Sequence, residues 1–160
     1  MLNFDAHGLL TPHRAIRSTV TEVKKTLVTG ITSRTRAANF KKYTKYSTDL
    51  KALVGAKTEL IQWVNGSFVT KKANPNDIDI VSFIDHDTVR RLGAMLDDFR
   101  KGGSWNAYGV DAYMVEVFPE GNRNHKFSEI DRVEWLSRFT KTKRDNQGRQ
   151  FPKGFLEIIY

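Results

Sequence analysis

The stretch Gly66-Ser67-Phe68-Val69-Thr70-Lys71-Lys72-Ala73-Asn74-Pro75-Asn76-Asp77-Ile78-Asp79-Ile80-Val81 decides how this chain is read. It joins a Gly-Ser turn to an Asp-x-Asp pair across a nine-residue spacer. Strand alternation from Asp77 to Val81 puts Asp77 and Asp79 on one face and Ile78 and Ile80 on the other, so two carboxylates project side by side. Two anions so placed repel each other unless a cation lies between them. Mg²⁺ suits the position, because it takes carboxylate oxygens and keeps open positions for substrate phosphates.

Upstream, Glu59-Leu60-Ile61-Gln62-Trp63-Val64 reads as a strand that stops at Gly66, where the missing Cβ lets a backbone approach a ligand closely. Backbone N–H groups of a turn that leads into a helix start would then face a phosphate. Between turn and acids, Asn74-Pro75-Asn76 is turn chemistry whatever the function. Downstream, Val110-Asp111-Ala112-Tyr113-Met114-Val115-Glu116-Val117 is a second strand-like run. Its Asp111 is a third candidate, either as a metal ligand or as the group that takes a proton from an attacking hydroxyl. Taken singly, each feature is a common structural element; the combination proposes a reaction.

The order strand, Gly-Ser, spacer, Asp-x-Asp on a strand, then a lone Asp on a later strand resembles the minimal nucleotidyltransferases of the DNA polymerase β superfamily. The segment Gly66 to Val81 is similar to a small uncharacterised bacterial group within it. That group also opens with a Phe-x-x-x-Gly-Leu-Leu-x-Pro segment, matched by Phe4, Gly8, Leu9, Leu10 and Pro12. It closes with a Trp-bearing helix, an Arg-rich turn and a Lys-Gly strand, matched by Trp135, Arg144, Lys153 and Gly154. The resemblance implies a nucleotidyltransferase fold in which Gly66 and Ser67 hold the triphosphate while Asp77 and Asp79 ligate two metals. It implies Asp111 as the third acidic position and Lys72 as a basic position near a phosphate. One departure stands out: the residue before the glycine is usually apolar, and here it is Asn65.

A chain of 160 residues, 39% hydrophobic and 28% charged, fits one domain with one core. The absence of cysteine excludes a disulfide scaffold and a thiolate metal site and suits a reducing compartment. No run reaches the length of a membrane span, and Asp5 with only a short apolar run near the start gives no anchor or secretory signal. No membrane partner and a cytoplasmic location are therefore the expectation. Lys and Arg number 26 against 18 Asp and Glu, a formal charge of +8, which attracts polyanions, nucleotides and nucleic acid included. Arg34, Arg36, Lys41, Lys42, Lys45 and Lys51 read as a solvated helix face. Arg138, Lys141, Lys143, Arg144, Arg149 and Lys153 form a second basic stretch, whose turn can reach over a nucleotide's phosphates.

Along the chain, Thr11-Pro12 resembles a helix start, with Ile16, Val20, Val23 and Leu27 at helical spacing before Gly30. A long helix is expected from Ser33 to Val54, with Phe40, Tyr43, Ser47, Leu50 and Val54 on its inner face. Asp85 or Asp87 can cap a helix whose inner face is Val89, Leu92, Leu96 and Phe99, and Gly102-Gly103 looks like its stop. Ser128 can start a helix through Val133, Leu136 and Phe139, and Gly154 to Tyr160 reads as a final strand. These elements interleave as an α/β (α+β) domain, a small mixed sheet flanked by helices over residues 1–160. Within it 1–55 holds N-terminal helices, 59–117 the core with the acids, and 128–160 the last helix and strand.

His7, His13, His86 and His125 share no spacing that would converge on zinc, and Asp85-His86-Asp87 reads as a helix cap. Ser67 lacks the Gly-x-Ser-x-Gly setting of a hydrolase nucleophile, and no Rossmann or Walker glycine pattern occurs. The expectation is a metal-dependent nucleotidyltransferase using Mg²⁺ or Mn²⁺. It would move a nucleoside monophosphate from an NTP, ATP first, to a hydroxyl acceptor. Small members of the resembled superfamily modify proteins, antibiotics or RNA ends, some as antitoxins that adenylylate a partner toxin. A short chain leaves little room for a separate acceptor-binding domain, which favours a protein acceptor. The alternative is an inactive nucleotidyltransferase-like module that binds nucleic acid or a protein through its basic surface.

Overall fold

Short apolar runs separated by turn residues form two sheets. β1 (Asn3–Phe4) and β2 (Leu10–Thr11) make a small antiparallel hairpin. β3 (Ala15–Arg17), β4 (Ile61–Asn65), β5 (Asp79–Asp85), β6 (Asp111–Val117) and β7 (Phe155–Ile159) form a mixed five-stranded sheet in the order β3-β7-β4-β5-β6. The computed structural model describes residues 1–160. The helices are α1 (Val20–Val23), continued by π-helical turns over Lys24–Thr29, α2 (Arg36–Val54), α3 (His86–Leu92), α4 (Gly103–Tyr108) and α5 (His125–Phe139). The architecture is the mixed α+β domain expected from the sequence, with helices on both faces of the sheet.

The sheet's two faces are unequal. On one, α2 lays Phe40, Tyr43, Leu50 and Val54 against Val64, Ile80, Ile84, Leu156 and Ile158, in a core of 23 buried residues. Each large apolar side chain so buried contributes about 1.5–3 kcal/mol, so this side anchors the fold. Ser47 occupies the same inner face because its hydroxyl donates to Gln62 Oε1 at 2.7 Å, and Gln62 Nε2 donates to Ser82 Oγ at 3.0 Å. The other face carries a smaller aromatic cluster of Trp63, Val81, Phe83, Val115, Phe139 and Phe155, with Tyr113 and Trp135 packed against it. α5 covers that face only in part, and the candidate site opens beside it.

Several local expectations change. Thr11-Pro12 is not a helix start: Thr11 ends β2, and Ile16 lies in β3, which pairs in parallel with β7. That pairing joins residues far apart in sequence and overrides the local helical spacing. Helix begins only at Val20, with Thr19 Oγ1 accepting from Glu22 N. Gly102-Gly103 is not a stop either. The helix capped by Asp85 ends at Leu92, and Gly93–Phe99 continues as 3₁₀ turns that still bury Leu96 and Phe99. Gly102, at φ 90°, instead lets the chain turn into α4. On α5, Val133 and Leu136 are 63% and 40% exposed; the packed side is Ser128, Trp135 and Phe139. Ser128 takes the inner position because its hydroxyl accepts from Phe118 N and donates to the Glu116 carbonyl.

The first basic stretch is also not wholly a solvated face. Arg36 is fully buried and its guanidinium donates to four carbonyls: Leu27 (3.0 Å), Phe68 (2.7 Å), Thr70 (2.6 Å) and Lys72 (2.6 Å). A buried cation is tolerated where hydrogen-bond acceptors replace its water. Burial pulls the Arg36 pKa below its ordinary value.

Candidate functional site

The segment from Gly66 to Asn76 is held from beneath by the start of α2. Beside the Arg36 clasp, Thr35 Oγ1 and Asn39 Nδ2 both donate to the Pro75 carbonyl, at 2.7 and 2.9 Å. Asn74 Oδ1 accepts from Arg34 N and Ser33 Oγ. The polar residues that open α2 thus fix the loop joining the Gly-Ser turn to the acids. Ser67–Val69 forms a single 3₁₀ turn, closed by Thr70 N and Thr70 Oγ1 donating to the Ser67 carbonyl.

β5 begins at Asp79, so Asp77 precedes the strand instead of lying in it. The alternation still extends back: Ile78 and Ile80 are both buried in the larger core, and Asp111 N donates to the Ile78 carbonyl at 3.2 Å. Asp79 stands directly opposite Asn65 of β4 on one side and Asp111 of β6 on the other. Directly paired residues on adjacent strands project from the same face, so Asn65, Asp79 and Asp111 form a row across three strands. This row sits at the edge of the aromatic cluster, one register step from Trp63, Val81 and Tyr113.

Gly66, Ser67, Lys72, Asp77, Asp79 and Asp111 all line one cleft of about 730 Å³, a size that suits a small ligand. Every residue singled out by the motif therefore meets there. Gly66 lies at φ 82°, ψ −166°, a region that side-chain-bearing residues avoid. A Cβ built on it would come within 2.0 Å of Asp79 Oδ2. The backbone conformation favours glycine, and any side chain there would also displace the Asp79 carboxylate lying against it.

The remaining lining comes from residues that the motif alone does not reveal. Asn65, the departure from the apolar pattern, is buried; its Nδ2 donates to the Phe139 carbonyl at 3.3 Å, while its Oδ1 has no partner. The second basic stretch folds back over the cleft. Lys141 pairs with Pro152 in an antiparallel bridge and Thr142 N donates to the Phe151 carbonyl, bringing Lys141, Lys143 and Lys153 to the acids. Arg144 and Arg149 are used otherwise, in the turn itself, where they bond the Gly148 carbonyl and Asp145. Lys153 is 5% exposed, and its Nζ donates to the Gly66 carbonyl at 3.2 Å. In the sequence Lys153 shows only as the end of the second basic stretch and as a Lys-Gly pair ahead of the last strand.

The electrostatics follow from this crowding. Burial raises the Asp79 pKa, and Asp77 and Asp111 add to the rise while Lys143 and Lys153 oppose it. Burial likewise pushes Lys153 down to about 8, against the pull of Asp79. None of the three carboxylates takes part in an ion pair. As the side chains stand, no three acidic or histidine donors form a closed metal-holding group. Mg²⁺ in phosphate chemistry is held by one or two carboxylates together with substrate oxygens, not by an all-protein cage. Unpaired acids, mutually repelling beside an open cleft, fit such a cation arriving with its phosphates. Asp77 and Asp79 could hold it, with Asp111 in register beside Asp79.

Five basic side chains, Lys72, Arg138, Lys141, Lys143 and Lys153, line the cleft against the three carboxylates, so it is cationic overall despite its acidic floor. Such a mixture suits a ligand that brings both anionic phosphates and divalent cations. No helix is long and apolar enough to cross a membrane. No curated protein and no solved structure matches the chain. The model for the family of unknown function DUF6932 matches residues 2–159, and the chain belongs to that family.

Proposed function

We propose that this protein transfers a nucleoside monophosphate from an NTP to a hydroxyl acceptor and releases pyrophosphate. The observation that carries the reading is the in-register pair Asp79 and Asp111 opening on the same cleft as Gly66, Ser67 and the cations. Gly66 and Ser67 would bound the triphosphate, with Lys72 and Lys143 drawn to its outer oxygens. Lys153, anchored on the Gly66 carbonyl, would hold that turn against Asp79. Bound Mg²⁺ or Mn²⁺ supplies Lewis-acid polarisation of the α-phosphate and offsets the charge that develops there. Asp111 accepts the proton of the acceptor hydroxyl as its oxygen bonds to the α-phosphorus, and the bond to the β-phosphate oxygen breaks. Most of the rate would come from holding these groups in line.

Calorimetric titration with a non-hydrolysable ATP analogue and Mn²⁺ tests the reading. Binding should need the metal and be lost in Asp79→Asn; metal-independent binding, or none, contradicts it. The second reading, a module without turnover, is favoured by the overall charge of +8. It predicts polyanion binding indifferent to Asp77 and Asp79.

A further inference from the structure

The outer side of α5 carries apolar residues that nothing in the chain covers. Phe127, Ile130, Val133 and Leu136 are 51%, 58%, 63% and 40% exposed, and their three-residue spacing makes one ridge along the helix. Val117, 36% exposed, adds to the N-terminal end of this ridge, because Ser128 bonds both of its chain neighbours, Glu116 and Phe118. Together these side chains leave open roughly 400 Å² of largely apolar surface, a size that marks interaction sites.

The charges around the ridge say what it fits. The chain as a whole carries +8, yet α5 balances Lys126, Arg132 and Arg138 against Glu129, Asp131 and Glu134. A helix that served a polyanion or an anionic lipid surface would be basic. A neutral face is instead where two copies of a cationic chain can approach without repulsion. The face is also self-complementary about Ile130: Phe127 and Val133 lie three residues before and after it, and Lys126 and Glu134 four before and after. Residues three and four apart share a helix face, so all four surround Ile130.

We propose that two copies of this chain associate through α5, antiparallel, about a two-fold axis at Ile130. Such an axis sets one patch against itself. Ile130 meets its own copy, Phe127 of each chain comes level with Val133 of the other, and Lys126 of each comes level with Glu134 of the other. Lys126 makes no ion pair within its own chain. Glu134 has only an exposed pair with Arg138, a kind worth little in water, so both groups are available across the axis. A stable interface takes about 800 Å² per partner; the ridge supplies about half of that as apolar centre, and the charged flanks form the rim of a reversible dimer. Trp135 and Phe139, which α5 gives to the cleft, lie on its inner side, so the pairing does not depend on nucleotide chemistry.

Sedimentation velocity on the full chain, from micromolar to near-millimolar concentration, reads the association. Wild type should dimerise, and Ile130→Glu should weaken the dimer by more than about tenfold, since it puts two carboxylates on the axis. Lys126→Glu and Glu134→Lys, at exposed positions, should each weaken self-association by about tenfold, because like charges then face each other. Mixed in equal amounts, these two variants should pair with each other about as well as wild type does with itself. The chain has no cysteine, so oxidised Ile130→Cys should give a covalent dimer, while Ser137→Cys, about 20 Å from its copy in this register, should not. Thermal unfolding checks that each variant is folded, and metal-NTP binding, measured alongside, should be the same in all of them. The proposal is overturned if wild type stays monomeric throughout, if its dimer ignores Ile130→Glu, or if the two charge variants fail to recover on mixing. None of these results bears on the transfer reading, which stands or falls on its own titration.

Discussion

Lys153 Nζ donates to the carbonyl of Gly66 at 3.2 Å, across 87 residues of chain. The bond ties the basic turn before β7 to the glycine against which the Asp79 carboxylate lies. Lys153→Met removes the donor and one of the two lysine charges offsetting Asp79. Nucleotidyl transfer should fall about a hundredfold, the scale expected when a preorganised donor is lost from a reacting site. Steady-state kinetics with labelled NTP checks this; an unchanged rate would make Lys153 purely structural.

The same ammonium makes stability pH-dependent with a definite sign. In the fold Lys153 titrates near 8, below its ordinary value of 10.5, because burial penalises its charged form. The penalty is fully present below about pH 8. Between the two values the unfolded chain binds more protons, so stability rises with pH across that window. The metal-free wild type should gain up to roughly 3 kcal/mol relative to Lys153→Met on moving from below pH 8 to above 10.5. Paired denaturant titrations measure the difference, and a flat difference would contradict the buried charge.

Gly66→Ala introduces a Cβ at positive φ and into Asp79 Oδ2. Backbone strain of this kind costs about 1–3 kcal/mol, and relief requires moving the carboxylate. The variant should unfold at lower denaturant and lose metal-dependent nucleotide binding. Retained binding would show that Asp79 has room to move without consequence.

Arg36→Met leaves the Leu27, Phe68, Thr70 and Lys72 carbonyls without their shared donor. The cost should be about 3 kcal/mol or more, since buried polar groups deprived of a charged partner are expensive. Because Arg36 does not line the cleft, the loss should appear in the unfolding midpoint, while any remaining folded protein still binds metal-NTP. Hydrogen exchange should rise first over residues 66–76.

Much of this was legible because local rules and long-range packing agree. α2 was readable because Phe40, Tyr43, Ser47, Leu50 and Val54 recur at helical spacing, and all are buried. The acids of β5 and β6 were readable because alternation with Ile78, Ile80 and Ala112 marks the buried face. Failures came where partners are distant. Ile16 belongs to a strand only because β7 lies beside it. On α5 the apolar residues Phe127, Ile130 and Val133 are exposed, while a serine bonded to two backbone groups faces inward. Periodicity alone therefore places Phe139 on the packed side correctly but not Val133 and Leu136. Arg36 reads as a surface charge, since nothing in its neighbours shows that carbonyls far along the chain receive it, and Lys153 reads as part of a basic stretch near phosphates but not as a buried donor to Gly66. Asn65 was visible as a departure from an apolar pattern, but its place in line with Asp79 and Asp111 emerges only from strand register.

If Asp77, Asp79 and Asp111 serve phosphoryl chemistry, incubation with α-labelled NTP and Mg²⁺ or Mn²⁺ will reveal it. Wild type should transfer label to acceptor in a metal-dependent way. The Asp77→Asn/Asp79→Asn double variant and Asp111→Asn should each lose more than about a hundredfold of that activity while remaining folded. Equal transfer by wild type and variants, or no transfer by wild type to any acceptor offered, would contradict the account.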